Sequence, residues 1–150
     1  MNAPTKIDAP LLAIRKSYRA SPQAVFDAFT KEEALSSWFN PHGGSCETEI
    51  NLRVGGDYSI KMGLPDGEIA HVSGTYLEIE PAKLLAFTWA WAGTPDRVSK
   101  VKIDFVQHGE ETQITLTHTE FFDEEARDRH NHGWEACLGN LPAYLEGRAP

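Results

Sequence analysis

The sequence has little of what several common protein classes require. Its 150 residues include only two cysteines, Cys46 and Cys137, and no apolar run near the ~20 residues that cross a bilayer. The cysteines lack the spacing of a metal site and no export signal is recognisable, so both are predicted to be thiols in the cytoplasm. With 14 basic against 22 acidic residues the net charge is −8, which argues against a nucleic-acid partner. Neither a membrane nor a nucleic acid is therefore predicted as a partner.

What remains fits one globular domain. No repeat, low-complexity tract or linker interrupts residues 11–147, which we predict to form that domain, and residues 1–10 are interpreted as a flexible lead-in. A strand over residues 11–18 is followed by Ser21 and Pro22, an N-cap and a first helical residue. Thr30 is predicted to cap a second short helix that ends before Pro41.

From Glu47 to Glu120 apolar and polar residues alternate with a period of two, which is typical of strands with one buried face. The turn signals between these strands lie at residues 55–56, 65–67, 80–83 and 108–111. About six antiparallel strands are expected there.

Helical spacing returns near the C-terminus, with Asp123 as the predicted N-cap and Pro142 expected to weaken or bend the last turns. One stripe of this helix is apolar, at residues 134, 137, 138, 141 and 145. The sheet offers the only large apolar surface that can cover the stripe. We therefore predict an α+β fold in which a twisted antiparallel sheet wraps around a long C-terminal helix and leaves a cavity between them.

At these residues the chain resembles the START-related helix-grip superfamily and, within it, the family named for the activator of the heat-shock protein 90 ATPase. The resemblance is carried by residues 21–30 (SPQAVFDAFT), 38–39 (WF) before Pro41, 55–58 (GGDY), 65–67 (PDG), 73–81 (SGTYLEIEP), 85–89 (LAFTW), 112–118 (TQITLTH) and 133–134 (GW). It implies a helix-grip domain with a cavity for a lipid, a polyketide-like or a flavonoid-like molecule. The family name adds a chaperone as a partner and a place in the stress response. The resemblance supplies no catalytic signature and no cofactor.

The candidate ligand-binding residues are mostly aromatic. Phe87, Trp89 and Trp91 alternate along one strand, where they form either a pocket wall or part of the core. Trp38 ends the second helix beside a loop, residues 41–45, that acts either as a lid or as a buried staple. The remaining candidates are the wall residues Phe105, Trp134 and Leu138 and the polar anchors Tyr58, Tyr76 and His118. A histidine that closes an apolar strand face is more often a core residue whose hydrogen bonds are satisfied, so the ligand role of His118 is the less favoured of its two interpretations.

Catalytic and metal sites find little support in the residue pattern. His130 and His132 lie two positions apart, which directs them to different helix faces, so no metal is predicted. There is no Gly-x-Ser-x-Gly nucleophile elbow, and no catalytic residue is assigned. Three functions stay open: a binding module, a cyclase or hydratase that uses His118 or Glu49 as its acid or base, and a chaperone-stimulating protein.

Overall fold

The computed structural model describes residues 10–147, which form a seven-stranded antiparallel sheet and three helices. In chain order the elements are β1 (Leu12–Tyr18), α1 (Pro22–Thr30), α2 (Glu32–Trp38), β2 (Cys46–Ile50), β3 (Asp57–Gly63), β4 (Ile69–Glu80), β5 (Leu84–Trp91), β6 (Ser99–His108), β7 (Glu111–Thr119) and α3 (Glu124–Gly147). The predicted helix-grip fold is confirmed, with two short helices after the first strand and a long helix after the last. Apart from Pro10, the predicted lead-in lies outside the described residues.

The strands are ordered β1-β7-β6-β5-β4-β3-β2, so β2 to β7 form a meander and β1 joins it at β7. Strands β1 and β2 are therefore the two edges, and α1 and α2 carry the chain from one edge to the other. No helix of the described residues has the length and apolar character needed to span a membrane.

The period of two in the sequence corresponds to one buried sheet face. In β6, Val101, Ile103 and Phe105 are buried while Lys100 and Lys102 are exposed. These inward side chains belong to the same core as the stripe of α3, whose members are buried at Trp134, Cys137, Leu138, Leu141 and Leu145. The sheet therefore covers the helix as the alternation predicts.

The helix ends show which local signals decide the chain's path. Ser21 caps α1 as predicted, because its Oγ accepts a hydrogen bond of 3.1 Å from the backbone N–H of Ala24. The prediction for Thr30 is wrong: it is the last residue of α1, and its hydroxyl donates to the Phe26 carbonyl at 2.9 Å. The N-cap position of α2 is taken by Lys31 instead, and it has no side-chain cap hydrogen bond.

Helix α3 begins at the predicted cap and continues past its proline. Asp123 Oδ1 accepts a 2.8 Å hydrogen bond from the backbone N–H of Ala126. Pro142 has no N–H to offer the Leu138 carbonyl four residues earlier, yet the helix runs on to Gly147. The buried Tyr18 hydroxyl donates to that carbonyl at 3.1 Å. The first strand thus supplies the hydrogen bond that the proline removes from the last helix.

Candidate functional site

A cavity of about 490 Å³ lies between α3 and the sheet, beside the loop that follows α2. The loop, the sheet region around β3 to β5 and one face of α3 each supply part of its wall. Its lining residues are Phe39, Pro41, His42, Met62, Leu64, Ala70, Trp89, Trp91, Arg129, His130, His132, Gly133, Trp134, Ala136 and Cys137. The volume lies within the range of small-molecule sites, and the lining is mainly apolar and aromatic as such sites require.

The buried end of the cavity consists of aromatic rings. Trp89 and Trp134 are each 4% exposed, and their ring centroids lie 5.1 Å apart. Phe39 packs edge-on against Trp134 at 5.5 Å, and Trp91 packs perpendicular to Trp89 at 5.6 Å. Each ring of this wall therefore packs against at least one other ring.

The three tryptophan N–H groups around the cavity differ in their partners. Trp91 Nε1 donates to His130 Nε2 at 2.8 Å, and Trp134 Nε1 donates to His118 Nδ1 at 3.0 Å. Trp89 Nε1 is buried and has no hydrogen-bond partner among the described residues. A buried donor without an acceptor is uncommon in folded proteins, so the indole N–H of Trp89 is an unusual feature of this wall.

His118 is a core residue rather than part of the cavity wall. It is fully buried, and because indole N–H groups only donate, its Nδ1 accepts from Trp134 and its Nε2 carries the proton. Nε2–H donates to Ser99 Oγ at 2.7 Å, and that hydroxyl donates to the Trp89 carbonyl at 3.3 Å. Burial, with a smaller effect of His130, lowers the pKa of His118 to about 2. The imidazole is therefore neutral with both nitrogens engaged.

His130 lines the cavity but is occupied in the same way. Its Nδ1–H donates to the Ala126 carbonyl at 2.7 Å, while its Nε2 accepts from Trp91. Burial lowers its pKa, the hydrogen bond to Ala126 acts in the opposite direction, and the charge of Arg129 lowers the pKa further. Both ring nitrogens of His130 are therefore engaged, and its neutral imidazole orients the indole of Trp91.

The structure divides the predicted ligand-binding residues into three groups. Trp89, Trp91 and Trp134 line the cavity. Tyr58, Tyr76 and Phe87 line a separate void of about 20 Å³, which also touches Trp89 and Trp134. The candidates that lie in the core, away from both spaces, are Trp38, Phe105, His118 and Leu138. Only the first group meets a space large enough for a ligand.

The second group lies beside Gly74, where β4 and β5 approach each other closely. Gly74 is essential there, because a Cβ on it would lie 1.9 Å from the Thr88 carbonyl oxygen. The Tyr58 hydroxyl donates to the Thr88 carbonyl oxygen at 2.5 Å, and the Thr75 N–H donates to Thr88 Oγ1 at 2.9 Å. The Tyr58 hydroxyl is thus engaged by the backbone, and burial raises its pKa.

The loop predicted as a lid or staple is tied down at the rim. Pro41 and His42 line the cavity. The buried Asn40 donates through Nδ2 to the Gly63 carbonyl at 3.0 Å, and its Oδ1 accepts from the His42 N–H at 2.8 Å. Asn140 of α3 donates to the Asn40 carbonyl at 3.0 Å. The loop therefore belongs to a defined rim.

Several lining residues were not predicted. On α3, Arg129, Gly133 and Cys137 recur at intervals of four and so share a face, a signal that is visible in the sequence once one of them is known to meet a cavity. Met62 and Ala70 face each other across β3 and β4, where the sequence pattern indicates only a buried strand face. Whether such a face meets the core or a cavity depends on distant elements.

The described residues provide neither a group of metal ligands nor an activated nucleophilic cysteine. Within residues 10–147 no three His, Cys, Asp or Glu side chains are grouped to hold a metal ion. Both cysteines are free, and burial raises the pKa of Cys46 to about 11 and that of Cys137 to about 12, which favours the protonated thiol at neutral pH. Glu49, the other predicted acid or base, lies exposed in a separate polar groove of the outer sheet face.

Residues 19–146 match a protein-family model described as Activator of Hsp90 ATPase homolog 1-like protein. Among solved structures, a protein of Chromobacterium violaceum is similar with a TM-score of 0.84 at 23% identity, over 91% of this chain and 97% of that one. A protein of Arthrobacter aurescens has a TM-score of 0.83 at 22% identity, over 95% and 90% of the two chains. A protein of Rhizobium leguminosarum has a TM-score of 0.78 at 25% identity, over 93% and 95%. Among curated proteins none matches. The similarity to the solved structures concerns the fold.

Proposed function

The chain belongs to the family of Activator of Hsp90 ATPase homolog 1-like proteins, and we propose that it binds a small hydrophobic ligand in the cavity between the sheet and α3. Family and fold support a ligand-binding or co-chaperone-like domain. The observation that favours ligand binding is the cavity of about 490 Å³, with the aromatic side chains of Phe39, Trp89, Trp91 and Trp134 in its wall. Transfer of an apolar molecule from water into a preformed apolar cavity lowers the free energy of the system.

Trp89 in the cavity wall carries a buried N–H without a hydrogen-bond partner among the described residues, which costs about 1–3 kcal/mol. The nitrogen has almost no accessible surface, so a ligand acceptor reaches it only if the indole ring shifts towards the cavity.

The two alternative functions have less support. The residues considered for acid or base catalysis, His118 and Glu49, both lie outside the cavity, and His118 is neutral with its nitrogens engaged. The chaperone alternative follows from the family description, and no feature of the described residues adds to it. A lipid as ligand, a role in the stress response and a cytoplasmic location stay predictions.

The proposal is tested with a neutral probe, 4-(1-naphthyl)butanol, by titration against tryptophan emission and amide chemical shifts. We expect saturable binding with shifts concentrated around β5 and α3. Ala136→Phe places a ring in the cavity and should weaken binding about tenfold, whereas Ala143→Phe, at an exposed position of the same helix, should not. Unsaturable quenching by this probe and by a panel of flavonoids and fatty alcohols, or equal effects of the two variants, would refute the proposal.

A further inference from the structure

The polar side chains that line the cavity are unusually one-sided. Among the described residues of the lining there is no Asp, Glu, Ser, Thr, Asn, Gln or Tyr. The polar side chains present are Arg129, three histidines and the tryptophans, and the N–H groups of Trp91 and Trp134 already donate to histidines. Arg129 is thus the one permanently charged side chain in the wall, and it is positive in a protein whose net charge is −8. The described part of the wall therefore has a guanidinium donor and no carboxylate.

These groups are ordered by depth. Arg129, His42 and His132 are exposed, whereas Trp89 and Trp134 are buried. A ligand that enters between them meets cationic and imidazole groups at the rim and aromatic rings at the inner end. The arrangement complements an amphipathic molecule whose polar end is negative.

We infer that the ligand is an amphipathic carboxylic acid whose apolar body lies against Trp89 and Trp134 and whose carboxylate lies at the rim beside Arg129. The inference rests on the proposed function, because it names the chemical class that the same cavity takes. A carboxylate accepts two hydrogen bonds from a guanidinium in matching geometry. An amine at the same place would meet a like charge and no acceptor carboxylate in the wall.

Arg129 already has one partner, and this partner limits the size of the effect. Its Nη1 lies 3.1 Å from Glu125 Oε2, one turn earlier on α3, in a pair whose side chains are 62% and 79% exposed. Such exposed pairs are weak, and a guanidinium carries five N–H donors, so Glu125 does not saturate Arg129. The carboxylate of the ligand is therefore expected to contribute a modest preference, and the apolar body most of the affinity.

Three probes with one apolar body test the inference: 4-(1-naphthyl)butyric acid, 4-(1-naphthyl)butanol and 4-(1-naphthyl)butylamine, titrated at pH 7.5 in low salt. We expect the acid to bind about two- to fivefold more tightly than the alcohol, and the amine more weakly than both. Arg129→Gln should abolish the preference for the acid, measured as the ratio of the dissociation constants of the acid and the alcohol within the same variant. Arg127→Gln is the matched control, since it removes the same charge from α3 at a residue outside the lining.

The outcomes separate the two proposals. If the alcohol binds in the cavity but the acid binds no better, or if Arg127→Gln lowers the acid's affinity as much as Arg129→Gln, the carboxylate inference is overturned and ligand binding stands. If none of the three probes binds, both proposals lose their support. A preference for the acid that disappears only in Arg129→Gln, and that declines as salt is added, is the result we expect.

Discussion

Replacing the buried His118 should change how the stability of this protein depends on pH. In the folded chain its pKa is lowered to about 2, whereas a histidine in an unfolded chain titrates near 6.5. Below pH 6.5 the unfolded state therefore binds a proton that the folded state refuses. Its contribution to stability is fully present above pH 6.5 and is lost progressively as the pH falls towards 2.

The size of this loss follows from the linkage between proton binding and folding. Each pH unit below 6.5 costs about 1.4 kcal/mol for one histidine that stays neutral in the folded state. Between pH 7 and pH 5 the wild-type protein should lose about 2 kcal/mol of unfolding free energy through His118. His118→Gln, which keeps an amide donor and acceptor but does not titrate, should lose that much less over the same interval.

Urea unfolding followed by tryptophan fluorescence at pH 7, 6 and 5 measures the effect as a difference between two proteins. Carboxylates and the other histidines are common to both, so their contributions largely cancel. His108→Gln, at an exposed histidine, is the control and should retain the wild-type pH dependence. A His118→Gln protein with the wild-type slope would show that the buried imidazole accepts a proton in the folded state, against the hydrogen bonds described above.

Three further substitutions test the framework around the cavity. Tyr18→Phe leaves the Leu138 carbonyl without a donor and should lower the free energy of unfolding by about 1–3 kcal/mol in urea titrations; no loss would mean that another group satisfies the carbonyl. Gly74→Ala forces a methyl group into backbone and should cost about 3 kcal/mol, while Gly93→Ala, which meets open space, should cost less than about 0.5 kcal/mol; equal melting temperatures would contradict this. Asn40→Ala releases the rim loop and should speed amide exchange there and weaken naphthyl binding; unchanged exchange would show that these hydrogen bonds do not hold the loop.

The sequence is sufficient for most of the fold because its local signals agree with one another. The alternation in β6 predicts its buried face, and the serine and aspartate caps predict where α1 and α3 begin. The error at Thr30 has a local cause as well: a threonine can bond forward as a cap or back to its own helix, and the residue pattern does not decide between the two.

The site was predictable only in part. Trp89, Trp91 and Trp134 are identified by aromatic excess and helical spacing, and they line the cavity. Phe105 has the same alternation but packs against Phe26 of α1, at 5.5 Å between ring centroids. An inward-facing aromatic residue contacts either a helix or a cavity, depending on where α1 and α2 cross the sheet. The residues of the strand alone do not predict where the two helices cross.

The fate of His118 depends on longer-range information still. Its two partners, Ser99 and Trp134, lie 19 and 16 residues away on different elements. No local pattern distinguishes a histidine whose nitrogens will both be engaged from one that will face a ligand. Arg129 was not predicted for a related reason: it stands out only once the other lining residues are known, because none of them is a carboxylate or another permanently charged side chain.

The position of β1 beside β7 has a consequence for how the chain reaches this structure. Ile14 pairs with Leu116, so about a hundred residues must be in place before the first strand finds its neighbour. Until then both edges of β1 are unpaired, and during synthesis they stay so until most of the domain has been made. Folding should therefore be slow for a chain of this size, because this pairing joins residues so far apart in the sequence. Tyr18, at the end of that strand, then reaches the helix that is made last.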